Sequence, residues 1–557
     1  MQIKATADLW WKNAVIYCLD VETFLDGNGD GYGDFAGLIQ HIDYLAGMGV
    51  TCLWLMPFYP TPDRDDGYDV IDYYSVNPRL GDLGDFVDFM RVATDRGIRV
   101  IVDLVVNHTS DRHPWFQAAR RSRNSPYRDY YVWRDEVPEG EVDGIVFPDA
   151  EHSNWAWDEA AGQYYLHRFY THQPDLNIAN PAVRDEITKI IGFWMQLGIA
   201  GFRVDAVPYL LETEGIKGEV DIVPHDCLRD LRAFLGRRRG DAILIGEVNL
   251  KPRRQRRFFG DEDGDELHMV FNFYLNQKLY LALVRERAGP LRQALRALPE
   301  IPPENQWANF VKNHDEQTLD QLTDRERREV FAAFAPDEDM RLFGRGIRRR
   351  LPSMVEGDPR RLRLAYSLLF SLPGTPVLFY GEEIGMAENP AIDGRLAVRT
   401  PMQWTGEDNG GFSTAPPGKL CRPLVDDPRF APAAVNVADQ RRDSDSLLNW
   451  MERLIRRRKE CPEIGLGECR LMDTARPAVF AHRCDWHGST VIAVHNLSAA
   501  PQRVTLALDD AAEIEELLDL LGHRDCRPQP DGTLPLELDG YDYCWLRAHR
   551  AGRPRLP

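Results

Sequence analysis

The chain has 557 residues, 43% hydrophobic and 28% charged, with 67 Lys and Arg against 87 Asp and Glu for a net charge of −20. That length can bury a large core and divide into two or three domains. The acidic balance argues against nucleic acid and anionic membranes as partners, and no run of uncharged apolar residues is long enough to span a bilayer.

Met1 to Trp11 has no apolar stretch of signal-peptide length, and the nine cysteines form no C-x-x-C pair. Both features predict a cytoplasmic protein with reduced thiols rather than a disulfide framework or a zinc site. Along the chain, apolar β-branched bursts recur at Val15 to Leu19, Thr51 to Met56, Arg99 to Val106 and Gly201 to Asp205. They continue at Ala242 to Gly246, Met269 to Phe273, Asn309 to Lys312 and Pro376 to Tyr380. Helical patterns follow or intervene, as at Gly37 to Met48, Phe86 to Arg96 and Ile187 to Leu197. Strands alternating with helices predict an α/β fold with a parallel sheet, and eight such units predict a TIM (β/α)8 barrel.

The barrel is expected over 1–108 and 175–460, interrupted after the third strand by an inserted subdomain, 109–174, rich in Tyr, Trp, Arg and Asp. Past Lys459, strands at Ala478 to Arg483, Thr490 to Asn496, Val504 to Leu508 and Tyr543 to Arg547 are separated by turn residues. They predict a C-terminal antiparallel β-sandwich domain, 461–557. The basic stretch Arg345 to Arg350 reads as a solvated helix face.

Polar residues cluster at the C-terminal ends of the bursts: Asn107 and His108, Asp205, Glu247, His314 and Asp315. In a barrel of this kind that face carries the active site. Residues two apart on a strand share a face, so Arg203 lies beside Asp205 and should lower its pKa. The pair reads equally as a structural ion pair or as an ionised nucleophile beside its cation. Glu247 follows the apolar Ile243 to Gly246, which should raise its pKa and suit a general acid. One ionised and one protonated carboxyl is what retaining cleavage of a glycosidic bond needs. Asp315 could then stabilise an oxocarbenium-like transition state, with His108 and His314 donating to sugar hydroxyls.

Asp26-Gly27-Asn28-Gly29-Asp30-Gly31-Tyr32-Gly33-Asp34 places oxygen ligands at alternate residues around glycines. It predicts one Ca2+ on Asp26, Asn28, Asp30, Asp34 and the Tyr32 carbonyl, with a plain Gly/Asp turn as the alternative. Gly37 stands where an EF-hand needs Glu, so the loop is not an EF-hand.

The blocks Asp103-Leu104-Val105-Val106-Asn107-His108, Gly201-Phe202-Arg203-Val204-Asp205, Gly246-Glu247-Val248-Asn249 and Asn313-His314-Asp315-Glu316 resemble the signature blocks of glycoside hydrolase family 13, the α-amylase family. Gln173-Pro174-Asp175-Leu176-Asn177 resembles its fifth block in the oligo-1,6-glucosidase-like form. The resemblance implies Asp205 as nucleophile, Glu247 as general acid/base and Asp315 as transition-state stabiliser. It implies that His108, Gln173, Arg203 and His314 contact the sugar, that Asp65 and Tyr68 clamp and stack on the terminal glucose, and that Arg399 closes that pocket. A blocked pocket implies an exo-acting enzyme on short α-glucosides with no organic cofactor. Within the family, Trp10 to Tyr17, Asn107 to Gln117, Asp205 to Leu210 and Tyr541 to Leu546 are most similar to the branch that isomerises maltose to trehalose. An exo-acting α-glucosidase or transglucosylase would use the same machinery, and a catalytically inactive scaffold would be expected to lack a carboxylate.

That branch also implies a second Ca2+ on Asn107, Asp175 and Glu212 with the carbonyls of Tyr209 and Leu210. Isomerisation needs a lid to hold the released glucose and exclude water. The insertion after His108 and the segment from Asp320 to Pro359 are the candidates, with ordinary barrel insertions as the alternative. A small sugar is the expected partner, and a homo-oligomer stays open.

Overall fold

The computed structural model describes residues 9–137, 144–210, 224–522, 524 and 526–550. Eight parallel strands close into a barrel: β1 (Ile16–Leu19), β2 (Cys52–Leu55), β3 (Arg99–Leu104), β4 (Gly201–Val204), β5 (Ile243–Gly246), β6 (Met269–Phe271), β7 (Gln306–Phe310) and β8 (Thr375–Phe379). β8 returns to β1, with Val377 opposite Ile16. Helices cover the outside and side chains fill the inside, so these strands are buried on both faces and read as nearly continuous apolar runs. Asp103 and Arg203 break that pattern, and the register sets them opposite one another on β3 and β4.

The helix Pro181–Gln196, capped by Asn180 and opened by proline at its first position, delivers the chain to β4. Its Trp194 is fully buried against Phe58 and Phe86 and donates its indole N–H to the Tyr73 carbonyl at 2.8 Å. The helix expected over Gly37 to Met48 is two, Phe35–Gln40 and Ile42–Met48, broken at His41. Asp34 caps the first and Gly49, at φ 96°, ends the second.

Between β3 and β4 the chain forms a small antiparallel sheet of Trp133–Arg134, Gln163–Leu166 and Trp155–Asp158. Phe116, Trp133 and Tyr165 pack ring to ring against it. Past the barrel lies a five-stranded antiparallel sheet, made by Glu468–Leu471, Val479–Trp486, Ser489–Asn496, Tyr543–Arg550 and Ile514–Asp519 in spatial order. An antiparallel pair, Gln502–Ala507 with Thr533–Leu538, covers one face and shares an apolar core with it. Glu468–Leu471, Ile514–Asp519 and Thr533–Leu538 escape sequence reading because acidic residues, and in the last a proline, interrupt their apolar runs.

Two expectations are corrected. Cys469 and Cys484 face each other across neighbouring strands, Cα atoms 4.1 Å apart, and form a disulfide, while seven other cysteines are free. Strand register makes that pair, and no local spacing announces it. Arg345 to Arg350 is not a solvated helix face: Gly346–Ile347 is a strand, and the fully buried Arg350 donates to the carbonyls of Tyr380 and Val398. No helix among the described residues is long and apolar enough to cross a membrane.

Candidate active site

Barrel strands β3, β4 and β5 end side by side, and their register assembles the site. Arg203, 2% exposed, directs its guanidinium along the strand ends. Nη1 donates to Asp103 Oδ1 at 2.5 Å and to Asp205 Oδ1 at 2.5 Å, and Nη2 donates to Glu247 Oε2 at 2.6 Å. The indole of Trp54 satisfies the other Asp103 oxygen at 2.7 Å. Directly after Asp205 the backbone turns through Ala206 at φ 48°, a left-handed conformation unusual for a residue with a Cβ. That turn points the Ala206 amide at Glu247 Oε2, 3.2 Å away.

One guanidinium thus serves three carboxyl groups, and the expectation for Asp205 changes sign. Burial, reinforced by Asp103 and Asp315, outweighs Arg203 and pushes Asp205 up to about 6. Burial raises Glu247 further, to about 7, again against the pull of Arg203. Near neutral pH the pair therefore holds about one proton between them, with Glu247 as its favoured place.

Asp315 has a different environment. Burial alone would raise its pKa, but His314, Arg395 and Arg399 hold it well below the ordinary range. His314 is itself kept neutral, since burial lowers its pKa to about 4, so the two arginines carry the lasting charge. Arg395 Nη1 and Arg399 Nη2 reach Asp315 Oδ1 at 2.8 and 3.0 Å. His314 Nε2 lies 2.8 Å from the Tyr68 hydroxyl and 3.1 Å from Asp315 Oδ2, with its ring stacked on Tyr68. His108 Nε2 meets the Tyr68 carbonyl at 3.0 Å, which fixes the ring behind the tyrosine.

Asp65 joins this network through Arg395 and Gln173. Its carboxylate takes Arg395 Nη2 at 2.6 Å and Gln173 Nε2 at 2.8 Å. Arg399 instead bonds Asp66, Asp315 and the His314 carbonyl. The guanidinium that ties Asp65 to Asp315 is therefore that of Arg395, in the loop before Arg399. Sequence reading missed Arg395, Asp103 and Trp54. An aspartate inside the apolar run of β3 was the available signal for Asp103; Arg395 offered none.

Glu247 and Asp315 open onto a cavity of about 390 Å³, walled by Phe147, Phe169, Tyr209 and Phe273. Over it two segments meet. Phe147 of the insertion packs on Phe343 with ring centroids 5.0 Å apart, Asp149 accepts from the Phe343 amide at 3.0 Å, and Arg345 donates to the Val146 carbonyl at 2.6 Å. Asn249, just past Glu247, donates to Asp320 at 2.9 Å at the start of the second segment.

The alpha-amylase catalytic-domain model matches residues 19–335 and 347–467. The chain belongs to the α-amylase family. A sucrose hydrolase-like C-terminal domain model matches 488–547. Similar proteins include the trehalose synthase of Pimelobacter sp., 42% identical over 98% of both chains. The trehalose synthase/amylase TreS of Mycobacterium tuberculosis is 42% identical over 98% of this chain and 92% of its own. Among solved structures, the trehalulose synthase MutB superposes with a TM-score of 0.76 at 28% identity, over 97% of this chain and 100% of that one.

For this family member the calcium candidates divide. In the first loop Asp26 Oδ1 accepts from the amides of Asn28 and Gly29, and its Oδ2 from Gly31 and the Ser413 hydroxyl. Asn28 and Asp30 each use Oδ1 on the amide two residues on, and Asp34 uses Oδ1 on Gly27 and Gly37. The loop's side-chain oxygens are held by its own backbone amides; Asp26, Asp30 and Asp34 are not a group of carboxylates within 4.8 Å of one another, and what fits calcium is the all-oxygen chemistry of the donors with the Tyr32 carbonyl. At the second, Asn107 Nδ2 contacts Asp175 Oδ1 at 3.3 Å, and Tyr209 and Leu210 lie on the turn after β4. Glu212 lies outside the described residues. A third group, Asp20, Glu22 and Asp66, brings carboxylate oxygens within 4.8 Å of one another, but Arg422 binds all three.

A pH dependence follows. Below about 6 Asp205 gains a proton, and above about 7 Glu247 loses its own, so the one-proton pair exists mainly between. The kcat/KM for an α-glucoside is expected to be bell-shaped with those limbs. A profile flat from pH 5 to 9 would contradict the assignment.

Proposed function

We propose that this chain interconverts maltose and trehalose within one active site by a retaining, covalent mechanism. The carrying observation is a pocket blocked at one end and bordered at its mouth by two insertions in contact. Asp65, Arg395, Asp315 and Arg399 block it behind the sugar-binding end, and Val146, Phe147, Asp149, Phe343 and Arg345 join the two insertions along its open side. The similarity to two trehalose synthases over nearly the whole chain supports the same reading.

In this mechanism Glu247 protonates the glycosidic oxygen while the Asp205 carboxylate attacks the anomeric carbon, giving a glucosyl-Asp205 ester and free glucose. Arg203 holds both carboxyls against the reacting bond. Asp315, kept ionised by its two arginines, stabilises the positive charge developing on the ring. Tyr68 supplies a ring face for the glucosyl unit, with His108, His314, Gln173 and Asp65 around it. The released glucose turns under the cover, Glu247 takes the proton of its anomeric hydroxyl, and that oxygen displaces Asp205. Water must be excluded throughout, which is the role given to the seam over the cavity.

Incubating the enzyme with maltose alone, and with trehalose alone, is expected to give one common mixture of the two with little glucose. Arg345→Ala, which opens the seam without touching a carboxylate, is expected to shift product toward glucose by about twofold to tenfold. Glucose or longer oligosaccharides as main products of the unaltered enzyme would instead make it a glucosidase or transglucosylase.

The proposal includes Ca2+ held by Asp26, Asn28, Asp30, Asp34 and the Tyr32 carbonyl, and a second ion near Asn107 and Asp175. Bound calcium would brace the loop before the helix Phe35–Gln40 and takes no part in bond making. Chelation is expected to lower Tm by several degrees and added calcium to restore it; a Tm indifferent to both would remove calcium from the account. The seven free cysteines suit a reducing compartment, with the Cys469–Cys484 pair as the exception, and we place the enzyme in the cytoplasm.

A further inference from the structure

A buried arginine outside every motif of the sequence reaches the site from behind. Arg422, 7% exposed, donates Nη1 to the Arg399 carbonyl at 2.9 Å, and the same nitrogen lies 3.5 Å from Asp20 Oδ2. Its Nη2 donates to Glu22 Oε2 at 3.0 Å and to Asp66 Oδ1. The other oxygen of Asp66 takes Nη1 of Arg399, whose Nη2 holds Asp315 at 3.0 Å. Arg422 therefore grips Arg399 twice, at its carbonyl and through Asp66. An unbroken line of charge-assisted hydrogen bonds runs from Arg422 to Asp315.

Three carboxylates this close demand a cation in their midst. Arg79, 3.3 Å from Glu22 Oε1, reaches them from one side, and Arg422 sits among all three. Burial would raise Asp66, yet Arg422 and Arg399 hold it down at about 2. Asp66 is also fixed in backbone, at φ 51°. The segment bearing Arg422 is strapped to the loop after β1: Cys421 N donates to the Gly31 carbonyl at 2.8 Å and Asp26 N to the Phe412 carbonyl at 3.0 Å. At Gly31 (φ 103°) an added Cβ would lie 2.0 Å from the Lys419 carbonyl oxygen, so glycine is needed for the approach.

We propose that Arg422 is a positioning residue for glucosyl transfer: through Asp66 and Arg399 it holds the Asp315 carboxylate in its working place. It touches no substrate. Without it Glu22 keeps Arg79, but Asp20 and Asp66 are left with Arg399 as their remaining guanidinium, and Arg399 is drawn from Asp315. The inference rests on Asp315 acting in the reaction as proposed above.

The test measures kcat and KM for maltose conversion in Arg422→Met, Arg422→Lys, Arg422→Ala and Asp315→Asn, with Tm for each. Arg422→Met is expected to fold and to lose roughly tenfold to hundredfold in kcat, as displacement of a catalytic group by about 1 Å does, with KM little changed. Guanidinium ion at non-denaturing concentration is expected to restore part of the kcat of Arg422→Ala. Should Arg422→Met fail to fold, Arg422→Lys, which keeps the charge but not the fork, is expected to fold with kcat reduced about tenfold. Unchanged kcat in a folded Arg422→Met or Arg422→Lys, or an Arg422→Ala loss that guanidinium does not relieve, overturns the inference. Those results with Asp315→Asn inactive would sink the role of Arg422 alone, whereas an active Asp315→Asn would sink the role given to Asp315 itself.

Discussion

One guanidinium among three carboxyl groups is the constraint on which the rest of this site depends. Arg203 touches the buried Asp103 and Asp205 and, at the edge of the cavity, Glu247, all within 2.6 Å. Desolvation of that many charges is costly, and one cation cannot offset three anions. A proton lowers the excess by one. It settles on Glu247, which is most strongly raised of the two reacting carboxyls, and leaves Asp205 ionised near neutral pH. The division of labour we propose between Glu247 as acid and Asp205 as nucleophile thus follows from charge balance, with no need for a dedicated device on either residue.

Asp315 escapes this competition because it has cations of its own. Arg395 and Arg399 come from the segment after β8, on the opposite side of the barrel mouth from β3 and β4. Each arginine also holds an aspartate of the loop after β2, Asp65 or Asp66. The same ion pairs that keep Asp315 ionised therefore close the blind end of the pocket. Geometry and electrostatics share these residues, so a change at one alters both. Phe147 and Asp149 of the insertion and Phe343 beside Gly346–Ile347 then meet at the cavity mouth, so the confinement we propose for the released sugar would depend on two remote insertions touching.

How much of this was legible beforehand depended on what kind of constraint was involved. The eight barrel strands could be read because burial on both faces leaves a plain apolar signature, and their boundaries held to within a few residues, as at Ile243–Gly246. Asp205, Glu247, His314 and Asp315 could be found because polar residues at the ends of such runs stand out. The sign of the Asp205 shift could not be read, since it depends on Asp103 and Glu247 sharing Arg203 across strands, a matter of register. Arg395 and Arg422 lay in loops where arginine has no periodic meaning, and only the closed barrel brings them to Asp315 and Asp66. The need for glycine at Gly246 is similar in kind: an added Cβ would lie 2.2 Å from Leu267 Cδ1, a neighbour that only the fold brings there.

The central claim is that Asp205 becomes covalently bonded to glucose while Glu247 manages the proton. It is tested most directly by treating Glu247→Gln with α-glucosyl fluoride, whose leaving group needs no acid, then digesting the quenched protein and weighing its peptides. The account predicts that the peptide carrying Asp205 gains the mass of one glucosyl residue, and that Asp205→Asn in the same background abolishes it. A glucosyl label on another residue, or one that survives in the Asp205→Asn background, would contradict it.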